Sequence, residues 1–415
     1  MERGSLGKYF DWVIRKKLSE VETNPRKSNQ HELNAVKEIK ERLGQDKREF
    51  ATEFLYFEGE QASIPDSGTL TYYDARANHP IRTEHRIYYN TNEVTALMEA
   101  GDTLFLALRP DGGAMFIVAS GESFMSERLS WLFDLEQQAD LQFEFRGFES
   151  DRGGELDFLS RQILDALSIE YEDPNANSLD TIIERFGLSF PKTREFSDLA
   201  RLTLPGIDAR DDPDFALMAW LDHEEAMFRR LEKKIVSERL HLGFVDGDEA
   251  NVDAFIKFSL SVQNRRKSRM GHSLENHISA ALDANEVVYA SQFKTIKGKK
   301  PDYLFPSAEA YLDQNYSVGL LTMLAAKSSC KERWSQVLSE ADRIPVKHLL
   351  TLDPGIPETT TETMKADNLQ LVVPADRHNA YSKHQRTWLM SLAEFIELVK
   401  SREGGYPGPA QQGLF

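Results

Sequence analysis

Two apolar runs in the second half of the chain each meet a charge at one end. Lys299-Lys300-Pro301-Asp302-Tyr303-Leu304-Phe305-Pro306 sets an acid directly before a short apolar run, and Leu320-Leu321-Thr322-Met323-Leu324-Ala325-Ala326-Lys327 closes a second run on a lysine. Runs this short, bounded by turn residues and charge, read as buried strands. The segment that follows, Ser328 to Glu340, has helical periodicity. This stretch therefore asks for an α/β unit with Asp302 on one strand and Lys327 on the next.

An acid and a lysine so placed form the skeleton of a Mg²⁺-dependent phosphodiesterase site. The acid holds the cation, the cation polarises the phosphoryl oxygens, and the lysine offsets charge building on the phosphate. Many nucleases of this plan carry a second acid two residues before the lysine, but here that position is Ala325, which cannot ligate metal. Glu340, thirteen residues beyond Lys327, is one replacement, and Glu275 in Ser273-Leu274-Glu275 is another. Each residue also has a plainer reading. Pro-Asp is common in turns, Lys327 could simply end a strand, and Ser329-x-x-Glu332 is a capping-box pattern. Glu275 could pair with Arg265, Arg266 or Arg269.

Composition removes other chemistries. Cys330 is the single cysteine, so intrachain disulfides and multi-cysteine zinc sites are excluded. His223-Glu224-Glu225 lacks the second histidine of a zinc-protease helix, Asp246-Gly247-Asp248 lacks the remaining ligands of a calcium loop, and no phosphate-binding GxxxxGK[ST] motif indicates ATP use. No apolar run approaches the ~20 residues of a membrane span. With no apolar signal core after Met1, a cytoplasmic location is expected. The chain is acidic, 67 acids against 50 bases, so nucleic acid would have to meet a local basic patch rather than a general positive field.

Length, 415 residues, suits two or three domains. Residues 1–50 read as helical, from Tyr9, Phe10, Val13, Ile14 and Leu18 and again from His31 to Leu43. Residues 54–121 read as a small, barrel-like β-rich domain, with Asp111-Gly112-Gly113 as a hairpin turn. The polar stretch at 173–179 reads as a linker between an N-terminal domain (1–172) and a C-terminal one (180–403), and 404–415 as a tail.

Several segments, in order, resemble the catalytic domain of the EcoRII-like restriction endonucleases, a variant of the PD-(D/E)XK nucleases. They are Asn264-Arg265-Arg266-Lys267-Ser268-Arg269, Ser273-Leu274-Glu275, Lys300 to Ala308 with Tyr311, Met323 to Lys327 continuing through Cys330-Lys331-Glu332-Arg333-Trp334 to Glu340-Ala341-Asp342, and Leu371-Val372-Val373-Pro374. The resemblance spans roughly residues 180–400. It implies an α/β fold with a mixed central sheet flanked by helices, joined to a β-rich N-terminal domain. It implies that Asp302, Lys327 and Glu340 are catalytic, with Asp302 and Glu340 at the Mg²⁺ and with Glu275 and Tyr311 as helpers. Lys331, Glu332 and Arg333 match the family's base readers, and Arg265, Arg266 and Arg269 lie in a matching basic segment. Arg donating twice to guanine and Glu accepting from cytosine suit a CC/GG step, so the implied target is CCWGG-like double-stranded DNA. Arg333 and Glu340, seven apart, would share one helix face.

In this family an N-terminal effector domain binds a second copy of the target and covers the catalytic cleft. That role would fall here to Arg76, Arg82, His85 and Arg86. A homodimer follows because two strands need two sites and a palindrome mirrors a two-fold, and a methyltransferase acting on the same site would protect the host. A nuclease that senses modified DNA, used against phage, and a catalytically silent DNA-binding regulator are the rival readings.

Overall fold

The computed structural model describes residues 3–23, 31–59, 61–63, 65–79, 81–121, 123–135, 144–148, 158–167, 169, 180, 184–246, 249–295, 298–330, 334–353 and 355–403. The chain divides into two compact units, Met1–Glu170 with Pro354–Pro357, and Tyr171–Asp353 with Glu358–Phe415.

The first unit is built on one sheet. Its strands are β1 (Trp12–Lys17), β2 (Glu32–Asn34), β3 (Arg48–Glu58), β4 (Gln61–Ala62), β5 (Asp66–Asp74), β6 (His85–Tyr89), β7 (Thr103–Leu108), β8 (Ala114–Ala119) and β9 (Glu144–Gly147). The order is β2-β6-β5-β3-β8-β7-β1-β9, with β4 paired to β3. The path is open, ending on β2 and β9 among the described residues. All six residues of β8 are buried between β3 and β7, which is why this strand reads as a continuous apolar run rather than an alternating one. The hairpin at Asp111-Gly112-Gly113 forms as expected. Gly112 takes φ 85, a left-handed conformation that suits glycine, and the Asp111 carboxylate accepts the Gly113 amide at 2.8 Å.

The helical reading of residues 1–50 is corrected. Trp12–Lys17 is a strand between β7 and β9, with Val13 opposite Ala107 and Ile14 opposite Leu106. Trp12, Val13 and Ile14 are all buried. β-Branched Val and Ile fit a pleated, two-sided site, and two neighbouring strands satisfy their backbone, so tertiary pairing overrides the apparent period. From His31 to Leu43, the first part is β2 and only Lys37–Leu43 is helix, stopped by Gly44 at φ 77.

The second unit is α/β. Its helices include α1 (Thr193–Thr203), α2 (Pro213–Leu242), α3 (Val252–Ala284), α4 (Ala308–Leu312), α5 (Ser335–Leu338) and α6 (Leu392–Glu403). A small hairpin, β10 (Val245–Asp246) with β11 (Glu249–Ala250), joins α2 to α3. The central sheet runs β12 (Ala290–Ser291), β13 (Tyr303–Phe305), β14 (Thr322–Lys327), β15 (Lys347–Thr351), β16 (Leu369–Val372). The first two pairings are antiparallel and the last two parallel, a mixed sheet as expected.

Helices α1 and α2 share an apolar core of Phe196, Leu199, Ala200, Met227, Phe228 and Leu231. Inside the same unit lies an ionic network. Arg269 on α3 donates to Glu224 at 2.8 Å and to Glu225, both on α2. Arg201 donates to His277 Nδ1 at 2.8 Å. An acceptor role for Nδ1 puts the imidazole proton on Nε2, which lies 2.9 Å from the second Glu224 oxygen. Burial pushes His277 down, consistent with a neutral ring. Burial also acts to raise Glu224, but the His277 hydrogen bond and the Arg269 charge outweigh it and hold the carboxyl at about 2. At the far end, buried Asp214 accepts the amides of Leu392 (2.7 Å) and Ala393 (2.9 Å) at the start of α6. That clamps the C-terminal helix so that Phe395 packs on Phe305, with ring centroids 5.5 Å apart, beneath the sheet.

Candidate active site

Antiparallel pairing of β13 and β14 sets Tyr303 opposite Leu324 and Phe305 opposite Thr322. With that register, Asp302 at the mouth of β13 meets the far end of β14. One of its oxygens accepts the Ala326 amide at 2.8 Å and lies 3.7 Å from Lys327 Nζ. The amide fixes the carboxylate, and the lysine at the strand end stays half-exposed. Strand β14 buries Thr322 to Ala326 without a break and leaves Lys327 outside, so the apolar run anchors the strand that presents the cation.

Two further carboxyl groups join this pair. Glu340 follows the single turn of α5, and one of its oxygens is buried without a hydrogen-bond partner among the described residues. Its carboxyl is pushed up to about 7, first by burial and then by the negative charge of Asp302, while Lys327, Lys299 and Lys347 pull it down. Glu275 comes from α3. It accepts Gln292 Nε2 at 3.0 Å and is also raised, by burial first and Asp302 second. The Tyr303 hydroxyl donates to the Glu275 carbonyl at 2.7 Å, which registers α3 against the sheet edge.

Glu340 and Glu275 are thus each brought within electrostatic reach of the Asp302–Lys327 pair. Three carboxyl groups, two of them raised by burial first and by the Asp302 charge second, are a donor set that suits a hard divalent cation such as Mg²⁺. The orphaned Glu340 oxygen fits a metal ligand better than a structural carboxylate. A separate group, Glu358, Glu362 and His384, has donor atoms within 4.8 Å, but all three are exposed and none enters the acid–lysine cluster.

The other residues singled out by their sequence pattern fall differently. Tyr311 is buried on α4 with the Arg343 guanidinium 5.8 Å from its ring centre. Arg269 is 6% exposed and committed to Glu224 and Glu225, so it is an interior ion rather than a groove-facing contact. Arg266 pairs with Glu232 at 2.5 Å, and Arg265 lies 4.5 Å over the Phe190 ring. The arginines expected as partners of Glu275 therefore pair with α2 acids or with an aromatic ring. Arg265 and Arg269 line a cleft of about 410 Å³ with Phe190, Phe196 and Phe228, and no member of the acid–lysine cluster lines it.

Lys331, Glu332 and Arg333 lie outside the described residues, as do the expected linker at 173–179 and the tail at 404–415. The long helix expected to carry Arg333 and Glu340 on one face is corrected. Helix α5 is one turn, Ser335–Leu338, and Glu340 lies in the bend beyond it. In the first unit, His85 is buried against Tyr72 with ring centroids 5.1 Å apart. Arg86 is held by Glu32 (2.5 Å) and Glu84 (2.7 Å), and Arg76 by Glu84 at 2.5 Å. Arg82 is exposed. Gln292 and Lys299 were missed from sequence. Gln292 acts through a φ of 53 and an amide donated to the Asp302 carbonyl at 3.1 Å, a backbone signal that no composition rule carries.

The second unit thus carries a mixed sheet with an acid at the mouth of one strand, a lysine at the end of the next and a carboxylate beyond. Residues 228–396 match the family model described as EcoRII C terminal. The type II restriction enzyme EcoRII of Escherichia coli is 37% identical over 236 residues, 57% of this chain and 56% of that protein. The chain thus spans about half the length of this curated relative. These two matches bear out the EcoRII-like resemblance of the C-terminal unit. Among solved structures, metal-depleted Ecl18kI in complex with uncleaved DNA aligns at 19% identity and a TM-score of 0.45, over 57% of this chain and 87% of that one. The PspGI–substrate DNA complex aligns at 14% and 0.38, over 55% and 96%. Among the described residues, no helix is long and apolar enough to cross a membrane.

Proposed function

We propose that this chain is a type II restriction endonuclease that hydrolyses double-stranded DNA at a CCWGG-like site with Mg²⁺. The observation that carries the reading is Asp302 and Lys327 at 3.7 Å at the ends of paired strands, with one buried Glu340 oxygen that has no hydrogen-bond partner among the described residues and a carboxyl within reach of their charge. When bound, a divalent cation supplies a polarised phosphoryl oxygen and a water of lowered pKa. Asp302, oriented by the Ala326 amide, and Glu340 hold it. Lys327 sets a positive charge where the scissile phosphate gains negative charge. Glu275, raised by burial and tied to Gln292, completes the acidic wall. Lys331, Glu332 and Arg333 read the bases, and Arg82 with Arg76 offers the first unit a phosphate contact. That unit acts as an effector for a second target copy. The enzyme works in the cytoplasm as a homodimer, beside a methyltransferase acting on the same site.

The test is cleavage of plasmid carrying one or two CCWGG sites, methylated and unmethylated, with Mg²⁺ and then with chelator, followed by end sequencing. Cuts at unmethylated sites, stimulated by added site-bearing oligonucleotide, are expected. Asp302→Ala, Lys327→Ala and Glu340→Ala should each lower the rate by roughly 100-fold or more while DNA is still bound, because metal and lysine act on the transition state. Cutting of methylated DNA alone would replace this reading with a modification-sensing nuclease. Binding without cleavage under any divalent cation would leave a regulator.

A further inference from the structure

Glu340 stands in a bend, so neither a long helix nor a strand partner fixes where its carboxyl points. Its amide reaches back to the Val337 carbonyl at 3.0 Å, and the chain then turns sharply. The next residue, Ala341, takes φ 47, a left-handed conformation that a Cβ disfavours. A non-glycine residue persists there only where its surroundings over-determine it. Those surroundings centre on Lys347, the first residue of β15, which is 4% exposed. No carboxylate among the described residues forms an ion pair with it. Its ammonium donates instead to the Ala341 carbonyl at 2.7 Å and to the Ile344 carbonyl, on either side of the turn. The lysine backbone is fixed independently, since its amide donates to the Asn368 carbonyl at 3.0 Å and the residue pairs with Leu369 of β16. From the far side, Arg343 donates to the carbonyls of Tyr311 and Tyr316, the latter at 3.1 Å, and ties the bend to α4 and the turn after it. An ammonium is costly to bury, and a side chain that only filled this space would do so without a charge.

We infer that Lys347 is a positioning residue for the candidate metal site: through its hydrogen bonds to the Ala341 and Ile344 carbonyls it holds the left-handed turn that presents the Glu340 carboxyl. The inference rests on the reading of Asp302 and Glu340 as cation ligands. A carboxylate on β14 would be placed by strand register, but position 325 is alanine. A carboxylate on a bend has no register of its own, and Lys347 supplies one from the central sheet. Lys347 touches neither DNA nor cation in this scheme. It acts through the backbone of the bend, as partners behind a metal ligand do when they fix its orientation.

Mn²⁺ binding to the full chain without DNA, read as loss of the free ion's electron paramagnetic resonance signal, tests this apart from cleavage. Lys347→Met, similar in length but unable to donate, should weaken Mn²⁺ binding by about 10–100-fold. The Mg²⁺ concentration for half-maximal cleavage should rise in step, while circular dichroism and DNA binding in chelator stay close to wild type. Adding Ala341→Gly to Lys347→Met should recover about threefold or more of the lost affinity, because glycine takes the left-handed turn without a Cβ penalty. A general packing defect would not respond to that second change. If Lys347→Met does not fold, Lys347→Gln, uncharged and one bond shorter, takes its place with the same direction expected. Wild-type Mn²⁺ affinity in a folded Lys347 variant would overturn the inference and leave the metal-site reading standing. So would a loss that Ala341→Gly does not recover, which would assign the effect to the charge of the lysine rather than to the turn. A wild type that takes up no Mn²⁺ would overturn the metal-site reading and this inference with it.

Discussion

Replacing Glu340 by glutamine should stabilise this protein while stopping its chemistry, and the gain should depend on pH. The Glu340 carboxyl lies at about 7 in the folded chain against 4.5 ordinarily, through burial first and Asp302 second. Unfolding therefore releases a proton between those two pH values. Stability contributed at low pH, where the group is neutral in both states, is lost as pH rises from 4.5 to 7 and stays lost above. That gap corresponds to about 3 kcal/mol for a fully shielded group. Glu340 is only partly buried, so solvent screening reduces it to about 2 kcal/mol. Glutamine never takes the charge. In chelator, Glu340→Gln should match wild type below pH 4.5 and exceed it by about 2 kcal/mol at pH 8, or about 4–8 °C in the melting point of a unit this size. Thermal unfolding of the full chain across that range reads the difference. A divalent cation should then raise the wild-type melting point more than the variant's, because it stabilises a charged ligand set the variant lacks. A flat difference between pH 4.5 and 8, or a variant less stable at pH 8, would refute a strained carboxyl at this position.

Arg269→Met should destabilise the second unit by about 3 kcal/mol in urea, because it removes the buried cation shared by two buried carboxylates, leaving Glu224 with His277 and Glu225 with Arg229. Arg266→Ala, which removes a half-exposed partner of Glu232, should cost about 1 kcal/mol or less. Similar small losses for both would return Arg269 to the surface. Arg333→Ala should lose roughly 1–3 kcal/mol of discrimination at a G·C pair in competitive binding, whereas equal weakening on cognate and random DNA would place it on phosphate.

The residues by themselves determined the central strands of the catalytic unit. Tyr303-Leu304-Phe305 and Thr322 to Ala326 are short apolar runs between charges, and local hydrophobicity settles that such runs are buried. The acid, the lysine and the lack of a carboxylate at Ala325 were equally legible, as was the Asp111-Gly112-Gly113 turn, because each depends on the chemistry of adjacent residues. Tertiary structure alone decided the rest. Trp12–Lys17 is a strand because β7 and β9 flank it, partners some ninety and a hundred and thirty residues away. Arg269 is an interior ion because Glu224 and Glu225 face it from another helix, and His85 is buried because the sheet covers it. Glu340 and Glu275 are both raised, by burial first and then by Asp302, which for Glu340 lies thirty-eight positions earlier. Burial and Coulomb interaction depend on distance in space, and for residues far apart in the chain that distance exists only once the fold has closed.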